Sequence, residues 1–426
     1  MLEKLFALKA HGVTPRTEIV SGVTIFFTMA YILFVNPQIL SAAGMDRGAV
    51  FMATALSAAI TTAAMGFWAN LPVALAPGMG QNAYFAFTAV PLLAGDWRLA
   101  LGCVFISGLL FVVLSASPAR EALMNAIPES QKRAIGAGIG FFLAMIGFQA
   151  AGLVADSPAT LVQPGNLAEP RFLIAAFGLF VIAALWARKV TGAVLIGIFA
   201  ATLLAMAAGL QALPDLSAPP PSIAPTFAQL HFGGASFDAL AVVVGVFLFL
   251  NLLDASGTLT AIGHQAGLME HGRLRNGRKA LVTDAGGTVV GAVLGTSPVT
   301  AYIESAAGAG GRTGLVAVTV AVLFLLALVL APLAGAVPAY ATAPALVFVA
   351  VLFARDLREI DWADVTEAVP ALVTALAIPL TFSIAEGIGA GFVTYAGLKL
   401  MTGRWRQLGI GVTVISLAFI AKVAFA

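Results

Sequence analysis

Charged side chains are scarce in this chain, since Asp, Glu, Lys and Arg make up 10% of its 426 residues and hydrophobic residues make up 60%. Several soluble domains of ordinary composition are therefore excluded. Apolar windows of about 20 residues, the length of a membrane-crossing helix, recur from residue 18 to the end of the chain. Because helices satisfy their own backbone hydrogen bonds in lipid, the sequence predicts an all-α protein that crosses a membrane many times.

Cysteine is almost absent: Cys103 is the single one, and it lies in an apolar span. One cysteine excludes an intramolecular disulfide and a paired-cysteine metal site. The sequence also lacks the motifs of metalloproteases, serine hydrolases and P-loop nucleotide-binding proteins. An enzyme is therefore a poor interpretation, and we expect neither a cofactor nor a metal. The net charge of +2 gives no indication of nucleic-acid binding.

Fourteen apolar spans are predicted, in two groups of seven separated by a proline-rich stretch. The first group lies near 18–40, 48–70, 77–92, 97–117, 134–154, 171–187 and 191–210. The second lies near 238–263, 279–295, 298–311, 313–336, 340–354, 366–385 and 387–401. An odd number of spans in each group makes the two groups inverted repeats. We assign 1–213 to the first repeat, 214–235 to an extracytoplasmic linker, 236–402 to the second repeat and 403–426 to a C-terminal apolar segment.

Basic residues gather in alternate loops. Lys4, Lys9 and Arg16 precede the first span, and further Arg or Lys residues follow the fourth, sixth, eighth, tenth, twelfth and fourteenth spans. Cytoplasmic loops of membrane proteins carry an excess of Lys and Arg. We therefore expect a multi-pass protein of the cytoplasmic (inner) membrane whose N-terminus is cytoplasmic.

Two segments are too short to cross a membrane as helices. They begin at Pro77 and at Pro298, and proline biases the preceding residue toward extended backbone. In each we expect a short extended piece followed by a half-helix, a backbone tolerated at membrane depth only where it lines a cavity or is buried in protein. Glycine and proline that merely kink packed helices are the alternative. Matched positions in the two repeats favour a transporter's binding site.

Two acids lie inside apolar sequence. Glu304 falls in the second broken segment, and Asp254 lies in the apolar run 245–263. Acids within membrane segments are costly, so they usually face a cavity, a partner or a substrate. Asn251 and Thr258 lie at helical spacing from Asp254, and the three form one polar stripe. A structural contact to a neighbouring helix is the alternative for this stripe.

Four stretches carry a family resemblance. They are NPQIL at 36–40, MGFWANLPVALAPGMGQNAYFAF at 65–87, GTSPVTAYIESAAGAGGRTGL at 295–315 and PLTFSIAEGIGAGF at 379–392. They closely resemble the AzgA-like hypoxanthine/guanine/adenine permeases of the nucleobase–ascorbate transporter superfamily, and the resemblance covers nearly the whole chain. It implies import of purine bases with the proton as the coupling ion. It also implies a core of spans 1–4 and 8–11 and a gate of spans 5–7 and 12–14.

The resemblance departs from the wider superfamily at the tenth segment. There the signature has Asn directly after its Gln or Glu and Gly three residues after it, whereas this chain has Ser305 after Glu304 and its next glycine at Gly308. This departure separates the chain from the xanthine/uric-acid and uracil branches.

By the same resemblance, Asn82, Asp254 and Glu304 bind the substrate. The full set of candidates for substrate contact is Asn82, Asp254, Glu304, Tyr84, Ser305 and Ile303. A carboxylate accepts hydrogen bonds from purine N–H groups, an asparagine offers a donor and an acceptor, and aromatic rings such as that of Tyr84 stack on bases. The candidates for the coupled proton are Glu304, Asp254 and Asp284. Asp284 lies near the start of a span, so a structural role is equally open for it.

Other functions remain as alternatives. A sulfate- or bicarbonate-type anion transporter of the same architecture should lack two acids at its site, because they would repel the anion. A channel would need no proton coupling, and a non-transporting receptor would bind its ligand without moving it.

The expected partners are a purine base, the proton, the lipid bilayer and a second copy of the chain. The resemblance implies a homodimer formed through gate spans. Small residues at Ala385, Gly387, Gly389 and Gly391 permit close helix approach there. The same residues can equally pack within one chain.

Overall fold

The computed structural model of the chain describes residues 2–117, 127–214, 219–270, 273–308 and 310–425. Residues 215–218 of the predicted linker lie outside these ranges. The helices of the first half are α1 (Leu2–Phe6), α2 (Pro15–Met29), α3 (Ile32–Ser41), α4 (Arg47–Ala64), α5 (Met79–Tyr84), α6 (Val90–Leu92), α7 (Trp97–Ala116), α8 (Glu129–Ala151), α9 (Pro170–Ala187) and α10 (Ala193–Ala207). Those of the second half are α11 (Phe237–Gln265), α12 (Gly277–Leu294), α13 (Gly314–Ala327), α14 (Ala331–Ala336), α15 (Ala339–Ala354), α16 (Val365–Thr381), α17 (Ile384–Met401) and α18 (Ile410–Phe425).

Short irregular helices and strands join these elements. π-helical turns at Met65–Ala69 and Phe85–Ala89 continue α4 and α5, and 3₁₀ turns occur at Ile303–Ala307, Leu328–Leu330, Arg355–Glu359 and Trp405–Gln407. The strands are β1 (Leu75–Pro77), β2 (Val154–Ser157), β3 (Leu161–Pro164), β4 (Met269–Glu270), β5 (Arg273–Leu274) and β6 (Val299–Ala301). They form three antiparallel pairs, β1 with β6, β2 with β3 and β4 with β5.

The predicted all-α membrane fold is confirmed. In the described part of the chain, eight helices are long and apolar enough to cross a membrane, and three apolar helices are shorter. A helix or a broken segment occupies each of the fourteen predicted span positions. Both predicted extended pieces are present, as β1 and β6. The number of spans that cross the bilayer stays a prediction.

Short polar side chains fix where several spans begin. The carboxylate of Asp46 accepts a hydrogen bond from the backbone N–H of Ala49 at the start of α4, and Ser236 does the same for α11. Asp96 and Ser383 cap α7 and α17. Each cap satisfies an N–H group that has no partner within its helix.

The described chain forms two compact units. The first comprises Met1–Ser117 and Ala168–Ala345, and the second comprises Pro118–Leu167 and Leu346–Ala426. The first unit therefore contains both broken segments, and the second contains α8, α16, α17 and α18. The predicted repeat boundaries and the grouping of spans into core and gate stay predictions.

In the first unit, α13 is held tightly at its start. The buried Glu18 carboxylate accepts hydrogen bonds from the backbone N–H groups of Arg312 and Thr313 at 2.8 and 3.1 Å. At the next residue, a Cβ on Gly314 would lie 1.9 Å from the carbonyl oxygen of Gly66. Glycine is therefore required for the close backbone approach of α13 to the end of α4.

The second unit contains a fully buried lysine. The Lys399 Nζ atom lies 2.6 Å from the Glu367 Oε1 atom and donates to the Thr366 Oγ1 and Gln407 Oε1 atoms, each at 2.8 Å. The Tyr395 hydroxyl donates to the same Glu367 oxygen at 3.2 Å. A buried ammonium group is tolerated only when it is paired and hydrogen-bonded. This network therefore ties α16, α17 and the turn that follows α17 together.

Lys399→Met should destabilise the protein, because it leaves the Glu367 carboxylate without its counter-ion. Removing one partner of a buried pair costs about 3–5 kcal/mol. We expect the lower end of that range, since the Glu367 side chain retains 22% exposure. Thermal unfolding in detergent measures the loss. The double variant Lys399→Met/Glu367→Gln should recover part of it. A single variant as stable as the wild type would contradict this account.

Candidate binding site

The two broken segments pair with each other through their backbones. Strand β1 runs antiparallel to β6, with Leu75 opposite Ala301 and Pro77 opposite Val299. Beyond the strand ends, the Gly78 N–H donates to the Pro298 carbonyl at 2.9 Å, and the Tyr302 N–H donates to the Ala74 carbonyl at 3.0 Å. All residues of both strands are buried. Extended backbone inside a membrane protein needs such internal partners.

Side chains from two neighbouring helices satisfy the outer edges of this pair. The Thr62 hydroxyl on α4 accepts from the Leu75 N–H at 2.9 Å and donates to the Leu75 carbonyl at 3.0 Å. The Asp284 carboxylate on α12 accepts from the Ala301 N–H at 2.7 Å and from the Thr300 hydroxyl at 3.3 Å. Asp284 thus supports the strand that leads into the site.

The segments differ after their strands. The first continues as the predicted half-helix, α5. The second forms only the five-residue 3₁₀ turn Ile303–Ala307, so the expected half-helix is wrong there. The glycines that follow explain the difference: they disfavour a helix, and Gly310 adopts a φ of 88°.

The two predicted acids lie close together and are both half-buried. Glu304 accepts a hydrogen bond from the Tyr31 hydroxyl at 2.9 Å. Asp254 accepts from the Thr258 hydroxyl at 3.3 Å, which confirms that these two residues share a stripe, and from the Gln81 Nε2 atom at 3.4 Å. Helix α11, which carries Asp254, contacts the 3₁₀ turn that carries Glu304. The fold therefore brings α11 and both broken segments to one place.

Asn82 is fully buried on α5, directly after Gln81. Its Nδ2 atom donates to the Oδ1 atom of Asn36 on α3 at 3.1 Å. Its own Oδ1 atom has no hydrogen-bond partner in the described part of the chain. A buried amide oxygen without a partner carries an energetic cost that a hydrogen-bond donor would offset.

The remaining candidates have apolar or backbone contacts. The Tyr84 ring packs edge-on against the Phe247 ring, with centroids 4.8 Å apart, and its buried hydroxyl has no partner among the described residues. The Ser305 hydroxyl accepts from the Ala74 N–H at 3.0 Å. The Ile303 side chain is 40% exposed. Their contacts with substrate stay predictions, as do those of Asn82, Asp254 and Glu304.

Sequence reasoning missed three residues that touch the predicted ones: Tyr31, Asn36 and Gln81. Gln81 and Asn36 both lie in the stretches that carry the family resemblance, so their polarity within apolar sequence was a usable signal. Tyr31 lies between α2 and α3, and its sequence surroundings distinguish it from no other aromatic. Only the fold, which brings Tyr31 to Glu304, identifies it.

The assembled groups are rich in hydrogen-bond acceptors. Two carboxylates and the free oxygens of Asn82 and Gln81 lie in the same unit. Such a set suits a polar ligand that offers N–H donors. The described residues hold no group of three His, Cys, Asp or Glu side chains placed to bind a metal ion.

Comparisons with known proteins agree along the whole chain. A sequence model described as a permease family matches residues 16–390. The adenine permease AdeP of Escherichia coli is 44% identical over 428 residues, which cover 100% of this chain and 96% of AdeP. The guanine/hypoxanthine permease PbuO of Bacillus subtilis is 41% identical over 432 residues, which cover 98% of this chain and 99% of PbuO.

A solved structure shares the fold. The transmembrane domain of the cyanobacterial bicarbonate transporter BicA matches with a TM-score of 0.65 at 16% identity, covering 88% of this chain and 97% of that domain. At this identity the likeness shows the fold alone. It confirms the predicted inverted-repeat architecture.

Asp284→Ala should destabilise the protein more than Asp284→Asn does. Alanine leaves the buried Ala301 N–H without an acceptor, which costs about 1–3 kcal/mol. Asparagine keeps an oxygen in place, so its thermal stability in detergent should stay near that of the wild type. If Asp284 is structural, Asp284→Asn also keeps concentrative uptake. A stable Asp284→Asn variant that has lost concentrative uptake would instead assign the coupled proton to this residue.

Proposed function

Because the chain belongs to the AzgA-like purine permeases of the nucleobase–ascorbate transporter superfamily, we propose that it imports adenine, guanine or hypoxanthine together with protons. Membership in this family makes it a multi-pass nucleobase transporter of a cell membrane and not an enzyme. The observation that carries the finer proposal is the convergence of Glu304, Asp254 and Asn82 at the paired broken segments.

The chemistry of a purine suits these groups. Glu304 and Asp254 offer carboxylate oxygens to ring N–H and amino groups, and charge-assisted bonds of this kind are about twice as strong as neutral ones. Two neighbouring acids also repel each other when both are ionised. Binding a proton at one of them relieves that repulsion, which is why we assign the coupling to this pair before Asp284.

The alternatives fit less well. An anion transporter of the same architecture is not favoured, because the full-length relatives are named as purine permeases and the site holds two acids. A receptor that only binds would show no counterflow of labelled purine in liposomes. The cytoplasmic N-terminus and the homodimer remain part of the proposal, supported by the loop charges and the family resemblance.

Glu304→Gln should weaken purine binding strongly while the protein stays folded. Losing a charge-assisted hydrogen bond costs about 1.5–3 kcal/mol, or about 10- to 150-fold in affinity. Binding of labelled adenine, guanine and hypoxanthine to purified protein measures this. Glu169→Gln, which removes an exposed acid with 44% side-chain exposure, is the matched control. Wild-type affinity in a well-expressed Glu304→Gln variant would refute a substrate role for Glu304.

Uptake should follow the proton gradient. In proteoliposomes, an inwardly directed proton gradient should drive accumulation of labelled purine, and a protonophore should abolish it. Equilibrium counterflow should persist in the protonophore, because exchange needs the site but no gradient. Accumulation driven by a sodium gradient alone would overturn the coupling assignment and leave purine transport intact.

A further inference from the structure

Asn36 is the centre of a buried polar network behind the candidate site. It lies on α3 with no exposure, and its Nδ2 atom donates to the hydroxyls of Thr54 and Thr296, each at 2.8 Å. Its Oδ1 atom accepts from Asn82 at 3.1 Å and from the Ser297 hydroxyl at 3.3 Å. Both ends of the amide are therefore occupied.

The direction of these hydrogen bonds is fixed by a backbone carbonyl of α4. A carbonyl only accepts, and a threonine hydroxyl has one proton to donate. The Thr54 hydroxyl gives that proton to the Val50 carbonyl at 2.7 Å. Toward Asn36 it must therefore accept, so the Asn36 nitrogen faces α4 and the Asn36 oxygen faces Asn82.

The same logic sets the orientation of Asn82. An oxygen of Asn36 can only accept, so Asn82 must present its nitrogen to it. The second proton of that nitrogen points toward the Met79 sulfur at 4.0 Å, a weak acceptor. The Asn82 oxygen is left buried and without a partner in the described part of the chain.

We propose that Thr54 and Asn36 are positioning residues, which hold Asn82 so that it offers the ligand an acceptor and not a donor. This inference rests on the proposed purine transport and deepens it. The site should select, at the ligand edge that meets Asn82, a purine that carries N–H over one that carries a bare ring nitrogen. An asparagine that was free to turn would accept both, because its amide offers a donor and an acceptor.

We call the hydrogen-bonded series from the Val50 carbonyl through Thr54 and Asn36 to Asn82 the relay. Thr54→Val tests it, because valine keeps the shape of threonine and removes its hydroxyl. The Asn36 amide, and with it that of Asn82, then loses its fixed direction. Competition binding to purified protein would use pairs of bases that differ between N–H and a bare ring nitrogen, namely hypoxanthine or guanine, whose N1 carries a proton, against adenine, whose N1 is bare. Wild type should prefer one member of such a pair, and Thr54→Val should reduce that preference about tenfold.

Two controls separate positioning from packing. Thr54→Ser keeps the hydroxyl and should keep the wild-type preference. Thr61→Val removes another buried hydroxyl of α4, which donates to the Ser57 carbonyl at 2.6 Å, and should also keep it. If Thr54→Val does not fold, Asn36→Ser replaces it. A serine hydroxyl both donates and accepts, so this variant should lose the preference as well.

The outcomes are distinct. A preference lost in Thr54→Val or Asn36→Ser and kept in both controls supports the relay. A preference unchanged in the relay variants, or lost equally in Thr61→Val, overturns it while purine transport stands. A wild-type protein that binds none of these bases overturns the proposed function and this inference with it.

Discussion

The structure of the site depends on one backbone pairing, that of β1 with β6. Neither broken segment could lie at membrane depth alone, because its N–H and carbonyl groups would have no partner in lipid. Each segment supplies the other's hydrogen bonds, and Thr62 and Asp284 close the outer edges. The residues that follow the two strands, Asn82 and Glu304, owe their positions to this pairing. The site is therefore a shared product of both halves of the chain.

The sequence predicted what depends on local chemistry. Pro77 and Pro298 predicted two extended segments. The isolated acids Asp254 and Glu304 predicted a polar site within an apolar fold. What it could not predict depends on packing between distant parts of the chain. No local signal joins Tyr31 to Glu304 or Asn36 to Asn82, although these bonds are 2.9 and 3.1 Å long. The predicted second half-helix was wrong, and the sequence contains the reason, which is the group of glycines that begins at Gly308.

Charge and polarity serve different purposes in the two units. In the first, acids and amides near the site are left half-buried or without a full set of partners, which is a cost unless a ligand completes them. In the second, Lys399 is fully buried with an acid and two further acceptors, so its cost is already offset. Around the candidate site, Asn82 and Gln81 thus keep buried oxygens without a partner in the described part of the chain, whereas the Lys399 ammonium is fully paired.

The cross-repeat strand pair also bears on how the protein is made. Val299, the partner of Pro77, lies more than two hundred residues further along the chain. Ribosomes add about 5–20 residues per second, so β1 waits on the order of ten seconds or longer for β6 to be synthesised. The backbone groups of β1 that pair with β6 therefore gain their native partners only after the second broken segment has been made.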